Sequence, residues 1–191
     1  MSDAYKGILI FVVGPSGAGK DSLMAGAATA LSQDPKISFV RRLITREAMA
    51  ELEDHGTISE AQYEEMVQQG NFALHWRAHG LGYIIPKTIE DDLRAGKTLI
   101  CNTSRNQLPI AHQKYPIHVI NITAPLALRA ERLAGRGRET KEEITQRLNR
   151  KVDDIDPDLP QTQIINDQSL EIGIARLLDA INEARTQKTA M

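Results

Sequence analysis

The chain has 191 residues, enough for one domain with room for a small insert. Apolar residues make up 41% of it, and 23 basic residues against 25 acidic ones leave a net charge of −2, so an ordinary globular core is allowed and no overall attraction to nucleic acid or an anionic membrane exists. Cys101 is the only cysteine, which excludes an internal disulfide and suits a reducing, cytoplasmic setting.

Strand-length apolar runs alternate with amphipathic segments. "GILIFVV" (7–13) reads as a parallel strand covered on both faces. The run is too short to span a membrane, and neither a basic segment nor a cleavage site frames it as a signal peptide. A helix is predicted from Gly19 to about Leu31, and a short strand over 37–40. The acidic stretch 46–57 reads as loop. Ser59 opens a helix with Gln62 as its capping-box partner, and Gly70 stops it. "FALHWRAHGLGYII" (72–85) reads as two strands around a Gly-rich turn. Pro86 and Gly96 bracket a helix. Then come a strand over 98–102, a helix over 105–114, a strand over 117–122 and helices over 125–135 and 140–151. A last strand covers 162–166 and a last helix 169–185, with "RTQKTAM" as a frayed tail. The order predicts a parallel α/β sheet with helices on both faces, interrupted by a mixed insert at about 41–85.

Beyond the first strand lies "GPSGAGKDSLM" (14–24). Gly14, Gly19 and Lys20 satisfy G-x-x-x-x-G-K between a strand and a helix, the context in which backbone N–H groups and a helix N-terminus cradle phosphates and the lysine reaches the β- and γ-phosphates. The ATP-binding candidates are Gly14, Pro15, Ser16, Gly17, Ala18, Gly19, Lys20, Asp21 and Ser22. Asp21 stands where Ser or Thr normally places a hydroxyl on Mg²⁺. Three readings stay open: Asp21 meets Mg²⁺ directly or through water, Ser22 takes the role, or Asp21 only complements the helix N-terminus.

Together "GPSGAGKDSL", "ITRE", "HGLGY" and "RLAGRGRETKEEITQRL" resemble the guanylate-kinase superfamily of P-loop kinases over nearly the whole chain. The resemblance implies that Arg46 and Tyr83 hold an acceptor phosphate. It also implies that Arg132, Arg136 and Arg138 belong to a mobile lid meeting the nucleotide, and that Arg147 lies near the phosphates. The guanine readers of that superfamily are missing. Leu74 stands at the glutamate position, Arg42 at the serine position, Met49 at a further arginine position, and "CNTS" (101–104) replaces an acidic strand end. A leucine cannot accept hydrogen bonds from a guanine edge.

"GKDSLM", "RRLITRE", "FALHWRAHGLGYIIP" and "CNTSRNQLP" are similar to the ribose 1,5-bisphosphate phosphokinase branch of the superfamily. That resemblance implies ATP- and Mg²⁺-dependent phosphorylation of a bisphosphorylated pentose to 5-phosphoribosyl 1-diphosphate (PRPP), linked to phosphonate breakdown. An acceptor with two phosphates and no base needs more cations and fewer base-reading groups. The acceptor candidates are Arg42, Arg46, His75, His79, Tyr83, Asn102 and Arg105. Even spacing places Arg42 and Arg46 on one strand face, and regular alternation would put His75, Arg77, His79 and Tyr83 on one side with Trp76 opposite, in the core. Lys87 is either a phosphate ligand or a solvated lysine. Lys20, Arg46, Arg136 and Arg147 are the catalytic candidates.

The fold expected is α/β, a P-loop kinase fold in a single domain over 1–191, with core 5–40 and 86–185, an acceptor-binding insert at about 41–85 and a lid at about 132–147. The chain is expected as a cytoplasmic monomer or homodimer, without nucleic-acid or membrane partners. The alternative activity is that of a guanylate kinase or another nucleoside-monophosphate kinase. A catalytically silent binding module is disfavoured by the intact lysine and lid arginines.

Overall fold

The computed structural model describes residues 5–46, 55–135, 144–145, 148 and 154–189. The elements in chain order are β1 (Ile8–Val13), α1 (Lys20–Ala30), β2 (Ile37–Phe39), β3 (Arg42–Ile44), β4 (His55–Thr57), α2 (Glu60–Gln68), β5 (Phe72–Ala78), β6 (Leu81–Pro86), α3 (Ile89–Arg94), β7 (Thr98–Asn102), α4 (Leu108–Lys114), β8 (Ile117–Thr123), α5 (Leu126–Ala134), β9 (Gln161–Ile165) and α6 (Leu170–Thr189). A 3₁₀ turn, Arg105–Gln107, leads into α4. One sheet has five strands in the order β2-β7-β1-β8-β9, and a second has four in the order β4-β3-β6-β5. The β2–β7 and β8–β9 pairs are parallel. This is an α/β fold with the expected central sheet and mixed insert.

All six residues of β1 are buried, as an apolar run covered on both faces requires. Each fully buried Leu, Ile or Phe there contributes roughly 1.5–3 kcal/mol of transfer free energy. Leu23 and Ala27, four apart on α1, are likewise buried.

By compactness the chain divides into two units. One comprises Met1–Leu9, Asp34–Cys101 and Gln107–Ile117 and contains the four-stranded sheet, α2, α3 and α4. The other comprises Ile10–Gln33, Asn102–Asn106 and His118–Met191 and contains the Gly-rich loop, α1, α5, β9 and α6. No helix among the described residues is long and apolar enough to cross a membrane.

Local rules explain most boundaries. Ser59 accepts from the Gln62 N–H, and Gln62 returns a bond to the Ser59 N–H, so the capping box opens α2. At its end the Asn71 and Gly70 N–H groups bond Met66 O and Val67 O, with Gly70 at φ 68°. Three features differ from expectation. Pro86 ends β6, and α3 begins only at Ile89. The segment read as loop carries β4, paired in parallel with β3. The expected frayed tail continues α6 to Thr189, since no Gly or Pro stops it. Of the helix predicted over 140–151, only residues 144, 145 and 148 are described, and they are helical.

Replacing Ser59 by Ala removes the side-chain acceptor of the Gln62 N–H and leaves the main-chain bond from residue 59 to Gln62 Oε1. We expect a loss of about 1 kcal/mol in chemical denaturation, with nucleotide affinity unchanged.

Candidate active site

The Gly-rich loop is built by close main-chain approach. A β-carbon at Gly14 would lie 2.1 Å from Ile122 O, and one at Gly19 would lie 2.4 Å from the Asn166 side-chain nitrogen. Gly19 also caps α1 at φ 87°, a left-handed conformation that side chains disfavour. Lys20 Nζ donates to Gly14 O at 2.9 Å and to Pro15 O at 3.5 Å. Arg129 Nε donates to Ser16 O at 2.8 Å, and Asn166 Nδ2 to Ala18 O at 2.8 Å. The Ala18 N–H bonds Pro15 O. Protein donors thus occupy the carbonyls of Gly14, Pro15, Ser16 and Ala18. The fixed turn and the N-terminus of α1 make an anion cradle. Arg132 Nη1 donates to Asn166 O at 3.1 Å and lies 3.6 Å from the β-carbon position of Gly19, so this arginine sits at the cradle.

Asp21 and Ser22 occupy the exposed first turn of α1. Asn102, at the end of β7, donates through Nδ2 to Asp21 Oδ1 at 3.4 Å. Next to it, Thr103 buries a hydroxyl that has no hydrogen-bond partner among the described residues. Carboxylate and hydroxyl oxygens are the hard donors Mg²⁺ takes, and one or two carboxylates with substrate phosphates suffice for it. The donor set therefore fits Mg²⁺ carried with a nucleotide. Arg105 is half-buried, and its Nη2 donates to Asn121 Oδ1 at 3.0 Å. Cys101 is fully buried, and burial pushes its thiol up to about 12, so it is no nucleophile.

In the four-stranded sheet, the structure corrects two expectations. The β5–β6 hairpin turns on His79 and Gly80, both at positive φ, and pairs Ala78 with Leu81, Arg77 with Gly82, Trp76 with Tyr83 and His75 with Ile84. Paired residues share a face. A two-residue turn makes those pairs opposite in parity, so Tyr83 shares its face with Trp76 and not with His75 or Arg77. His75 Nδ1 lies 3.1 Å from the Tyr63 hydroxyl, and Phe72 stands edge-on to its ring. Burial, then Lys114, holds the His75 imidazole below its ordinary range, so it is neutral at pH 7 and brings no charge to a phosphate. Arg77 is paired with Glu60 and Glu64 on α2, with its guanidinium over the Tyr63 ring. His79 is exposed at the hairpin tip.

The second correction concerns Arg46. β3 ends at Ile44, and the Arg46 N–H turns back to Ile44 O at 2.9 Å, so strand alternation does not carry Arg46 onto the face of Arg42. Arg42 lies with its guanidinium carbon 5.9 Å from the Tyr83 ring centroid. Leu74 is buried opposite Ile85, an apolar position with no hydrogen-bonding group for a base. Lys87 is exposed. Arg136, Arg138, Arg147 and Met49 lie outside the described residues. Sequence reasoning missed Asn166 altogether. In the sequence it is only the last residue of the strand predicted over 162–166.

The fold and the phosphate cradle define a P-loop kinase. A guanylate kinase from Anaplasma phagocytophilum has the same fold, with a TM-score of 0.64 at 16% identity over 97% of this chain and 89% of that one. No family model matches the chain. Among curated proteins, the ribose 1,5-bisphosphate phosphokinase PhnN of Brucella melitensis is 47% identical over 152 residues, 79% of each chain. The PhnN of Thiobacillus denitrificans is 37% identical over 186 residues, 97% of this chain and 98% of that protein. In Azorhizobium caulinodans, a bifunctional ribose 1,5-bisphosphokinase-thymidine phosphorylase is 43% identical over 182 residues, 95% of this chain but 26% of that protein. The chain belongs to the ribose 1,5-bisphosphate phosphokinase (PhnN) family.

Replacing Asn166 by Ala leaves Ala18 O without its side-chain donor, while Arg132 keeps its main-chain acceptor at position 166. We expect the KM for ATP to rise by about tenfold with the KM for the acceptor unchanged, read by steady-state kinetics. Equal losses in both would contradict a role confined to the cradle.

Proposed function

We propose that this chain transfers the γ-phosphoryl group of ATP to the 1-phosphate of ribose 1,5-bisphosphate, giving ADP and PRPP. Family membership carries the reading, since the similarity to PhnN of Thiobacillus denitrificans covers 97% of this chain and 98% of that protein. The residues agree chemically. An acceptor without a base has no use for a guanine reader, and Leu74 offers none. An acceptor with two phosphates needs cations, and Arg42 adds one. The family name also ties the reaction to phosphonate breakdown.

Phosphoryl transfer asks for positioning and charge neutralisation. The loop 14–19 and the N-terminus of α1 bind the phosphates of ATP. Lys20 leaves its carbonyl partners for the β- and γ-phosphates, and Arg132 stabilises charge on the moving group. Arg136 and Arg147 join them on the family resemblance. Mg²⁺, when bound with the nucleotide, neutralises charge on the β- and γ-phosphate oxygens. Asp21, supported by Asn102, is the residue we assign to hold it, with Ser22 as the neighbouring hydroxyl. Arg42 and Tyr83 hold the acceptor phosphate, a guanidinium being suited to grip it through two bonds, and Arg46 joins them on the family resemblance alone. The nucleophile is a phosphate oxygen that is already anionic, so no general base is required. This agrees with the neutral, engaged state of His75.

The test is ADP release with ATP and Mg²⁺, comparing ribose 1,5-bisphosphate with GMP as acceptor. Turnover with the pentose and little with GMP is expected; the reverse preference would overturn the reading. Asp21→Ala is expected to raise, by about tenfold, the Mg²⁺ concentration needed for tight ADP binding in calorimetry, while ADP affinity in EDTA stays unchanged. An unaltered Mg²⁺ dependence would remove Asp21 from the metal site.

A further inference from the structure

Trp76 is the only tryptophan in the chain, and alternation placed it in the core, away from Tyr83. The hairpin register instead sets it directly across from Tyr83. The two rings are stacked, with centroids 5.1 Å apart and planes within 5°. Strand order β3-β6-β5 puts Trp76 on one side of Tyr83 and Arg42 on the other. The Arg42 guanidinium carbon lies 5.9 Å from the same ring centroid, so the phenol is flanked by an indole and a cation. Trp76 is 9% exposed, whereas Tyr83 keeps partial access to solvent. A buried ring of that size fixes the partner stacked on it, because neither can turn without losing the contact.

We propose that Trp76 is a positioning residue of the acceptor site: stacked on Tyr83, and with Arg42 on the other side, it holds the phenol where its hydroxyl meets the acceptor phosphate. The proposal rests on the reading of Tyr83 and Arg42 as acceptor-phosphate ligands. Trp76 itself touches no substrate. Its effect passes through Tyr83, and that dependence is what an experiment can separate from a simple packing role.

The experiment is a double-mutant cycle on the acceptor KM with ribose 1,5-bisphosphate. Tyr83→Phe keeps the stacked ring and removes the hydroxyl. Trp76→Leu removes the stack. Each single variant is expected to raise the acceptor KM by about tenfold with the ATP KM unchanged. Trp76→Phe restores most of the affinity. The double variant is expected to be no worse than Tyr83→Phe alone. Multiplied losses in the double variant would overturn the positioning role while leaving Tyr83 a ligand. No effect of Tyr83→Phe would overturn both the ligand assignment and this inference. Should Trp76→Leu not fold, Trp76→Met carries the same cycle. The native chain gives an independent readout, because Trp76 is its only indole. Titration with ribose 1,5-bisphosphate is expected to change the indole emission with a midpoint that Tyr83→Phe shifts upward. An emission unmoved at saturating acceptor would contradict the proposal.

Discussion

The Gly-rich loop and everything it positions depend on how closely main chains pass there. A single methyl group at position 14 would stand 2.1 Å from Ile122 O on β8, and one at position 19 would stand 2.4 Å from the Asn166 amide. The turn from β1 into α1 is therefore locked against β8 and against the end of β9. The same closeness lets Asn166 and Arg129 reach the loop carbonyls from far along the chain. The cradle is local in sequence but is held by α5 and by the residue that follows β9. Arg132, on α5, joins it through the Asn166 carbonyl, which makes that asparagine the link between the loop and Arg132.

The legible features were those set by neighbours in the chain. The strand-loop-helix unit, the Ser59 capping box and the Gly70 stop each depend on residues within about one helical turn, and each formed as the sequence indicates. Where spatial partners decide, sequence reasoning failed. Alternation assumed that parity runs unchanged through a hairpin, and the two-residue turn at His79 and Gly80 reversed it. His75 and Arg77 were thereby given to Tyr63 and α2, and Trp76 to Tyr83. Arg46 left the strand pattern because the chain bends back at Ile44. Asn166 had no signal, since its role exists only once Ala18 is folded next to it.

The chemistry agrees with this division of parts. A base-reading site needs buried hydrogen-bonding groups, and the position that could supply one holds a leucine packed against Ile85. A phosphate-reading site needs cations and a hydroxyl, and Arg42 and Tyr83 lie together on one sheet face. The fold is that of a guanylate kinase, and the chain belongs to the PhnN family. At Asp21 the position that usually offers a hydroxyl carries a carboxylate, and the strand end beside it carries the amide of Asn102.

Phosphorus NMR of the reaction products tests the central claim most directly, because it reports which oxygen received the phosphoryl group. With ATP, Mg²⁺ and ribose 1,5-bisphosphate, the account predicts a new pair of coupled diphosphate signals from the 1-position, with the 5-phosphate signal remaining a lone monoester. Inorganic phosphate as the only product, or a diphosphate formed solely when GMP replaces the pentose, would contradict it.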